Sequence, residues 1–334
     1  MIKRIDKVRP QNINDDYDKI LLKEIKKYFF LKNDKKKLNS KLLEIVKCPS
    51  CNSKKSKNYS IINYFKLVEC DKCSLIYVNP RPTQEAQIDF FAKSKAMDIY
   101  SNMVENTNSY RQELIFKPLV NFIFENFGKK SNNLLEIGCG PGLFLDAMKT
   151  SKSNYKLSGL DINSEAVKIC ISKGHNVECD SIENYNENKK YDIIVFWAVL
   201  DHFSDPYFII KKCYNLLNKN GAIVIGNLNI EGFESIMLGK NNKGIFSVPE
   251  RQNFFGIKSM KYLLNRSGFK NIITKTTGKL DVDYVKNYWE NNPKINKDIF
   301  LKKLLDCDEK IRENFQQFLI NNNLSSHMTT IAKK

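Results

Sequence analysis

NLLEIGCGPGLF, residues 133–144, is the stretch that decides the fold. A short apolar run leads into three glycines at alternate positions, Gly138, Gly140 and Gly142. Without a Cβ, each lets backbone amides or a ligand come closer than alanine would allow. A glycine turn on its own also serves packing. What gives this one weight is Asp161, which closes the next apolar run 19 residues beyond Gly142. In a doubly wound sheet that position puts a carboxylate against the ribose hydroxyls of a nucleoside-containing ligand.

Outward from the loop, short apolar runs alternate with helical patterns, which predicts βαβ units and a parallel sheet. Strands are expected at 133–137, 156–162, 175–179, 191–197, 222–228 and 271–276, with helices at 142–150, 164–173, 206–218 and 258–267. The fold class is α/β: a doubly wound, Rossmann-like, mostly parallel sheet with an N-terminal zinc ribbon and flanking helices. Five regions follow: a helical extension (1–47), the ribbon (48–83), a helical connector (84–130), the sheet domain (131–278) with an insertion at 230–256, and a helical tail (279–334). The Asn-rich stretch 291–297 reads as a hinge or loop.

The ribbon rests on cysteine spacing. Cys48-x2-Cys51 and Cys70-x2-Cys73 are separated by 18 residues, which fits a closed four-cysteine zinc site with a structural metal. Asn52 and Ser74 stand where many zinc knuckles carry glycine, and Asn tolerates positive φ better than Ser. The other five cysteines, Cys139, Cys170, Cys179, Cys213 and Cys307, read mainly as small buried hydrophobes.

Dinucleotide loops use Gly-x-Gly-x-x-Gly, whereas this loop is Gly-x-Gly-x-Gly with Glu136 inside the strand. Here the sequence resembles the class I S-adenosylmethionine-dependent methyltransferases. The matching blocks are LLEIGCGPG (134–142), GLDI (159–162), ECDSIE (178–183), YDIIVFWAVLDHFSDP (191–206) and LLNKNGAIVIGN (216–227), all in order. CDKCSLIYVNPRPT (70–83) resembles the zinc-ribbon segment of a subgroup found among bacterial sugar and natural-product biosynthesis enzymes.

The resemblance implies S-adenosylmethionine as cofactor. Glu136, Gly138, Cys139, Gly140 and Gly142 would surround its methionine part, Asp161 its ribose and Ile162 its adenine. Asp180 and Ser181 would lie at the adenine edge. Trp197, Ala198 and Val199 would line the floor near the sulfonium, where a π-face attracts a cation; plain core packing is the other reading of Trp197.

Methyl transfer to a hydroxyl needs alignment of the acceptor and removal of a proton. His202, after the fourth strand in AVLDHFSDP, is the candidate base, with Asp201 orienting it or a substrate; a structural role at the loop is the other reading of His202. His175 is expected on the surface away from the ligand edge, and His327 in the polar tail SSHMTT. The insertion 230–256 reads as an acceptor lid. Relatives often read Pro-Glu-His where this chain has Pro249-Glu250-Arg251, so Arg251 is expected to grip a phosphate or carboxylate. Tyr110 and Arg111 are candidates for the cofactor's carboxylate.

Composition sets the outer bounds. The 334-residue chain carries a net charge of +17, which raises nucleic acid as a partner. Of its 54 basic residues only seven are Arg, the side chain that reads phosphates and base edges, so the Lys runs read as solvated faces. No apolar run reaches the ~20 residues of a membrane span and the start lacks a signal-peptide core, so a cytoplasmic setting is expected. The expected reaction is methylation of a small molecule, a hydroxyl of a nucleotide-linked sugar or glycan precursor, with a phosphate on the acceptor giving the basic surface a role. The alternatives are an RNA methyltransferase and a non-enzymatic scaffold. The block VLDH argues against base N-methylation, and the intact loop with Asp161 argues against a scaffold.

Overall fold

The computed structural model describes residues 11–34, 36–129, 132–186, 188–239, 244–292 and 298–334. Most of the Asn-rich hinge and residues 240–243 of the insertion lie outside the described residues. The strands that matter are β1 (Ser56–Ile62), β2 (Phe65–Cys70), β3 (Ile76–Val78), β4 (Asn133–Ile137), β5 (Lys156–Asp161), β6 (Val177–Cys179), β7 (Tyr191–Trp197), β8 (Leu217–Leu228), β9 (Asn253–Phe254), β10 (Lys270–Thr276) and β11 (His327–Lys333).

Seven of them form one sheet in the order β10-β11-β8-β7-β4-β5-β6. Strands β8 through β6 run parallel, and β11 lies antiparallel between β8 and β10. Buried on both faces, β4 and β7 read as nearly unbroken apolar runs, as parallel strands do. Ile194, Phe196, Ile223 and Ile225 pack with the helices at 206–216 and 257–266; Ile193, Val195 and Val224 pack on the other face with Phe144 and Met148. The order reverses between β4 and β7, and the crevice beyond their carboxyl ends is where such sheets take ligands.

The ribbon is built into this body. Its strands form a second, antiparallel sheet, β9-β3-β2-β1, in which β9 comes from the insertion. Cys48, Cys70, Cys73, Leu75 and Tyr77 share one core with the main sheet's first face. On the ribbon's other side, Leu21, Ile25 and Phe29 of helix Gln11–Phe29 pack with Phe65, Leu67 and the insertion's Phe246 and Val248. Of the helical extension expected at 1–47, Gln11–Phe29 is a helix that buries an apolar stripe, whereas Leu43–Glu44 pair as a short strand with Arg81–Pro82.

Two expectations change. The 279–334 region does contain helices, Asp281–Asn291, Ile299–Asp306 and Glu309–Asn321, around Val285, Trp289 and Leu305. Its last part, however, is β11, so His327 opens a sheet strand instead of lying in a loose polar tail. Nor is the insertion an open flap over the site. Its described residues include the buried Ile245, Phe246, Val248, Phe254 and Phe255, and β9 pairs with β3. It is a wedge joining the ribbon, the first helix and the main sheet.

Candidate cofactor and acceptor site

The glycine loop turns sharply out of β4. Gly138, Gly140 and Gly142 all take positive φ, at 69°, 52° and 81°. A Cβ on Gly138 would lie 2.7 Å from Val199 Cγ2, and one on Gly142 would lie 2.9 Å from Cys170 Sγ. At Gly140 it would meet no atom within 4 Å, so this glycine faces open space. Asp161 ends β5 beside it: Oδ2 accepts from Gly140 N at 2.7 Å and Oδ1 from Asn163 N at 2.8 Å. Burial raises its pKa, against the pull of these amide donors.

The loop is also held from behind. Cys170 Sγ donates to Gly140 O at 3.1 Å, and Lys173 Nζ donates to Pro141 O at 2.8 Å and to Asp146 Oδ2 at 2.9 Å. The expectation that His175 lies on the surface away from the site is corrected. Its side chain is almost fully buried against Gly142, with Nε2 2.7 Å from Asp146 Oδ1. Nothing in the sequence links positions 146, 173 and 175; the turn before β6 brings them together.

Several predicted cofactor residues lie at or near the carboxyl ends of neighbouring strands in this sheet. Glu136 is 3% exposed, its Oε2 has no hydrogen-bond partner, and burial raises its pKa well above the usual range. Ile162 is a large apolar side chain left 60% exposed just past β5. Asp180 and Ser181 follow β6, with Asp180 Oδ1 accepting from Ser181 N. Trp197 packs at a tilt on Phe144, ring centroids 5.2 Å apart, and over Gly226, where an added Cβ would come within 2.5 Å of the ring. Its Nε1 is buried without a partner. Ala198 has φ 56°, and Val199 closes on Gly138. Cys139 and Cys170 are buried together at the loop and Cys213 is buried elsewhere, whereas Cys179 is exposed and Cys307 part-exposed.

Beyond β7 lies a buried polar cluster. His202 Nδ1 is 3.1 Å from Glu250 O, and since a carbonyl only accepts, Nδ1 carries the proton and Nε2 the lone pair. Burial lowers the pKa of His202. Asp201 is paired through Oδ2 with Arg251 Nε at 2.9 Å, and its Oδ1 is 4.0 Å from His202 Nε2. Arg251 was expected to grip a ligand's anion; it holds Asp201 and donates to Gly244 O at 2.8 Å, bracing the insertion. Arg111 Nε donates to Thr107 Oγ1 at 2.8 Å within its own helical segment, and Tyr110 is 44% exposed.

Glu250 was not singled out as a site residue. Its carboxylate accepts from Ser247 Oγ at 2.9 Å and from Tyr17 Oη of the first helix, and burial pushes its pKa up to about 7. An acid raised this way costs the fold nothing below its ordinary value near 4.5, where both folded and unfolded forms are protonated. It costs the full amount above 7, or about 3 kcal/mol. Glu250→Gln is therefore expected to gain stability relative to the wild type as pH rises from about 4.5 to 7, with no further change above. Denaturant melts of both proteins across that range check it; parallel curves would mean that the carboxyl titrates normally.

The ribbon cysteines also converge. Cys48 Sγ and Cys73 Sγ are 3.5 Å apart, Cys51 Sγ and Cys70 Sγ 3.4 Å, and all four sulfurs lie within 4.8 Å of one another. Disulfides have S–S near 2.05 Å, whereas four thiolates about 2.3 Å from one tetrahedral zinc stand roughly 3.8 Å apart. Asn52 and Ser74 both take φ 62°, the turn glycine usually fills, and Asn52 N and Ser74 N donate to Cys48 O and Cys70 O, both at 2.9 Å.

A glycine loop at the switch point, a strand-end acid and a buried carboxylate with one oxygen unpartnered frame the kind of crevice in which doubly wound sheets take nucleoside-containing ligands. Residues 107–273 match the family described as a methyltransferase domain. The chain belongs to this family of S-adenosylmethionine-dependent methyltransferases. It is 35% identical over 106 residues to malonyl-[acyl-carrier protein] O-methyltransferase 1 of Ilyobacter polytropus, covering 30% of this chain and 40% of that protein. It is 26% identical over 160 residues to the ubiquinone biosynthesis O-methyltransferase of Aliivibrio fischeri, covering 44% and 66%. The chain thus spans from 40% to 66% of the length of these curated relatives. The crystal structure of a SAM-dependent methyltransferase from Archaeoglobus fulgidus aligns over 70% of this chain and 100% of its own, with TM-score 0.49 and 20% identity. Among the described residues, no helix is long and apolar enough to cross a membrane.

Proposed function

We propose that the chain transfers a methyl group from S-adenosylmethionine to a small-molecule acceptor, with a hydroxyl oxygen as the atom methylated. When bound, the cofactor supplies an electrophilic methyl on a sulfonium. The chain's own part is to hold it and to manage the acceptor's proton. Asp161 would take the ribose diol, Glu136 Oε2 the ammonium of the methionine arm, and the open face of Gly140 the close approach of the ligand. Ile162 would lie against the adenine and Trp197 on the sulfonium side.

The observation that carries the oxygen assignment is the state of His202. A neutral imidazole with Nδ1 committed to a backbone carbonyl leaves Nε2 as an acceptor for a hydroxyl proton. His202→Ala should leave S-adenosylhomocysteine affinity intact while turnover falls by ~10²-fold or more. Because burial lowers its pKa, the acidic limb of the wild-type rate profile should fall below the ordinary imidazole value near 6.5 and vanish in the variant. Full activity in the variant would remove His202 as the base.

The finer reading, a nucleotide-linked sugar or glycan precursor, rests on the likeness of the ribbon segment at 70–83 alone. The relatives above are named for other acceptors, malonyl-acyl carrier protein and ubiquinone biosynthesis. We also infer that Cys48, Cys51, Cys70 and Cys73 hold one zinc. With four thiolates it has no open position, so its role is structural.

A further inference from the structure

The polar cluster beyond β7 contains a cavity that the proposed reaction does not by itself explain. It has a volume of about 10 Å³, room for one water-sized group, and lies between the ends of β7 and β8 and the insertion. Its polar lining is Asp201, Asn227 and Asn253, which are 3%, 2% and 0% exposed; Leu228, Ile230 and Phe255 are among its apolar walls. On each of the three polar side chains, Oδ1 has no hydrogen-bond partner.

Their neighbours fix which atoms are left over. Asn227 Nδ2 donates to Leu228 O at 2.9 Å, and Asn253 Nδ2 donates to Phe203 O at 2.7 Å. Asp201 Oδ2 is ion-paired with Arg251 Nε at 2.9 Å, a contact that leaves Nε without a hydrogen bond. Each amide nitrogen has spent one of its two hydrogens in this way, and the lining atoms left with no partner at all are three oxygens, all acceptors, around a desolvated pocket of one-atom size. Buried acceptors without donors are costly, and three around one cavity call for an occupant that brings its own hydrogens. A hydroxyl brings one donor and a water two, whereas a protonated primary amine brings three.

We propose that this cavity is the subsite for a primary ammonium group on the methyl acceptor, held by the Oδ1 atoms of Asp201, Asn227 and Asn253. The inference rests on the acceptor site lying beside His202 and adds the class of molecule that enters it, an amine-bearing alcohol. The amine anchors the acceptor and a hydroxyl elsewhere on it meets His202.

The probes are methylammonium chloride, methanol and tetramethylammonium chloride. They are titrated by calorimetry into the full-length wild type, Asn227→Leu and Asn253→Leu, with S-adenosylhomocysteine titrated into all three. Methylammonium is expected to bind the wild type, and methanol and tetramethylammonium are not. Each leucine variant should weaken methylammonium binding by ~10-fold or more, the loss of one charge-assisted hydrogen bond, with S-adenosylhomocysteine affinity unchanged. Methylammonium binding no better than methanol would overturn the proposal and leave the cavity a water site. So would equal methylammonium affinity in the variants, and the wild-type comparison stands even if a variant fails to fold. A wild type that bound methylammonium but not S-adenosylhomocysteine would sink the transferase reading and leave the amine subsite in place.

Discussion

In a Cys73→Ser variant the ribbon is expected to lose its zinc, and the chain to lose roughly 5 kcal/mol or more of stability. Structural zinc supplies of order 10 kcal/mol of folding free energy in small zinc domains. Removing one thiolate opens the coordination shell and leaves the three remaining sulfurs packed together without a cation. The damage does not stay local. Cys73 is fully buried in the same core as Ile194 and Phe196, so a disordered ribbon uncovers one face of the main sheet. Cys213→Ser is the control, since that thiol is equally buried yet stands outside the four-sulfur group. It should cost ~1–2 kcal/mol, as ordinary core substitutions do. Elemental analysis and denaturant melts of both variants decide the matter. A wild type purified without metal, together with a Cys73→Ser variant no less stable than Cys213→Ser, would refute the zinc assignment.

Asp161→Ala should abolish most cofactor binding, with S-adenosylhomocysteine affinity falling by ~10²-fold or more from the loss of two charge-assisted hydrogen bonds to a ribose diol. The side chain has a second task, because the same carboxylate accepts from Gly140 N and Asn163 N and so fixes the turn. Asp161→Asn separates the two. Its carbonyl oxygen can still cap one amide, and its loss of charge weakens the grip on the diol, so it should fall between wild type and alanine. Calorimetry with both variants is the check, and unchanged affinity in the alanine variant would take Asp161 out of the site.

Much of this arrangement is legible in the sequence, for physical reasons that differ by element. β4 and β7 are apolar on both faces, so their runs and the observed strands coincide at Asn133–Ile137 and Tyr191–Trp197. The four-cysteine cluster is legible because two Cys-x2-Cys pairs at this separation can converge on one point, as their sulfurs do. β11 is not, because its polar composition hides a buried strand. Thr329 and Thr330 are buried, and their hydroxyls pair with those of Thr277 and Thr274 at 3.0 and 2.9 Å, so a stretch that looks solvent-facing satisfies itself inside the sheet. The acceptor side is equally hidden. Asn227 lies inside the expected strand 222–228 and Asn253 and Glu250 inside the insertion, and nothing local marks them as site residues or links Glu250 to Tyr17 of the first helix. Contacts between residues hundreds of positions apart leave no local periodicity to read.

The position of β11 between β8 and β10 bears on how the chain is made. During vectorial synthesis β8 is an unpaired edge until residues 327–333 have left the ribosome, although every residue of the cofactor crevice has by then long been available. The nascent domain must wait with that margin exposed to chaperones or to a neighbouring nascent chain. Its final commitment to the native state therefore comes after translation of the crevice, set by a segment outside the glycine loop and the strand ends that form it.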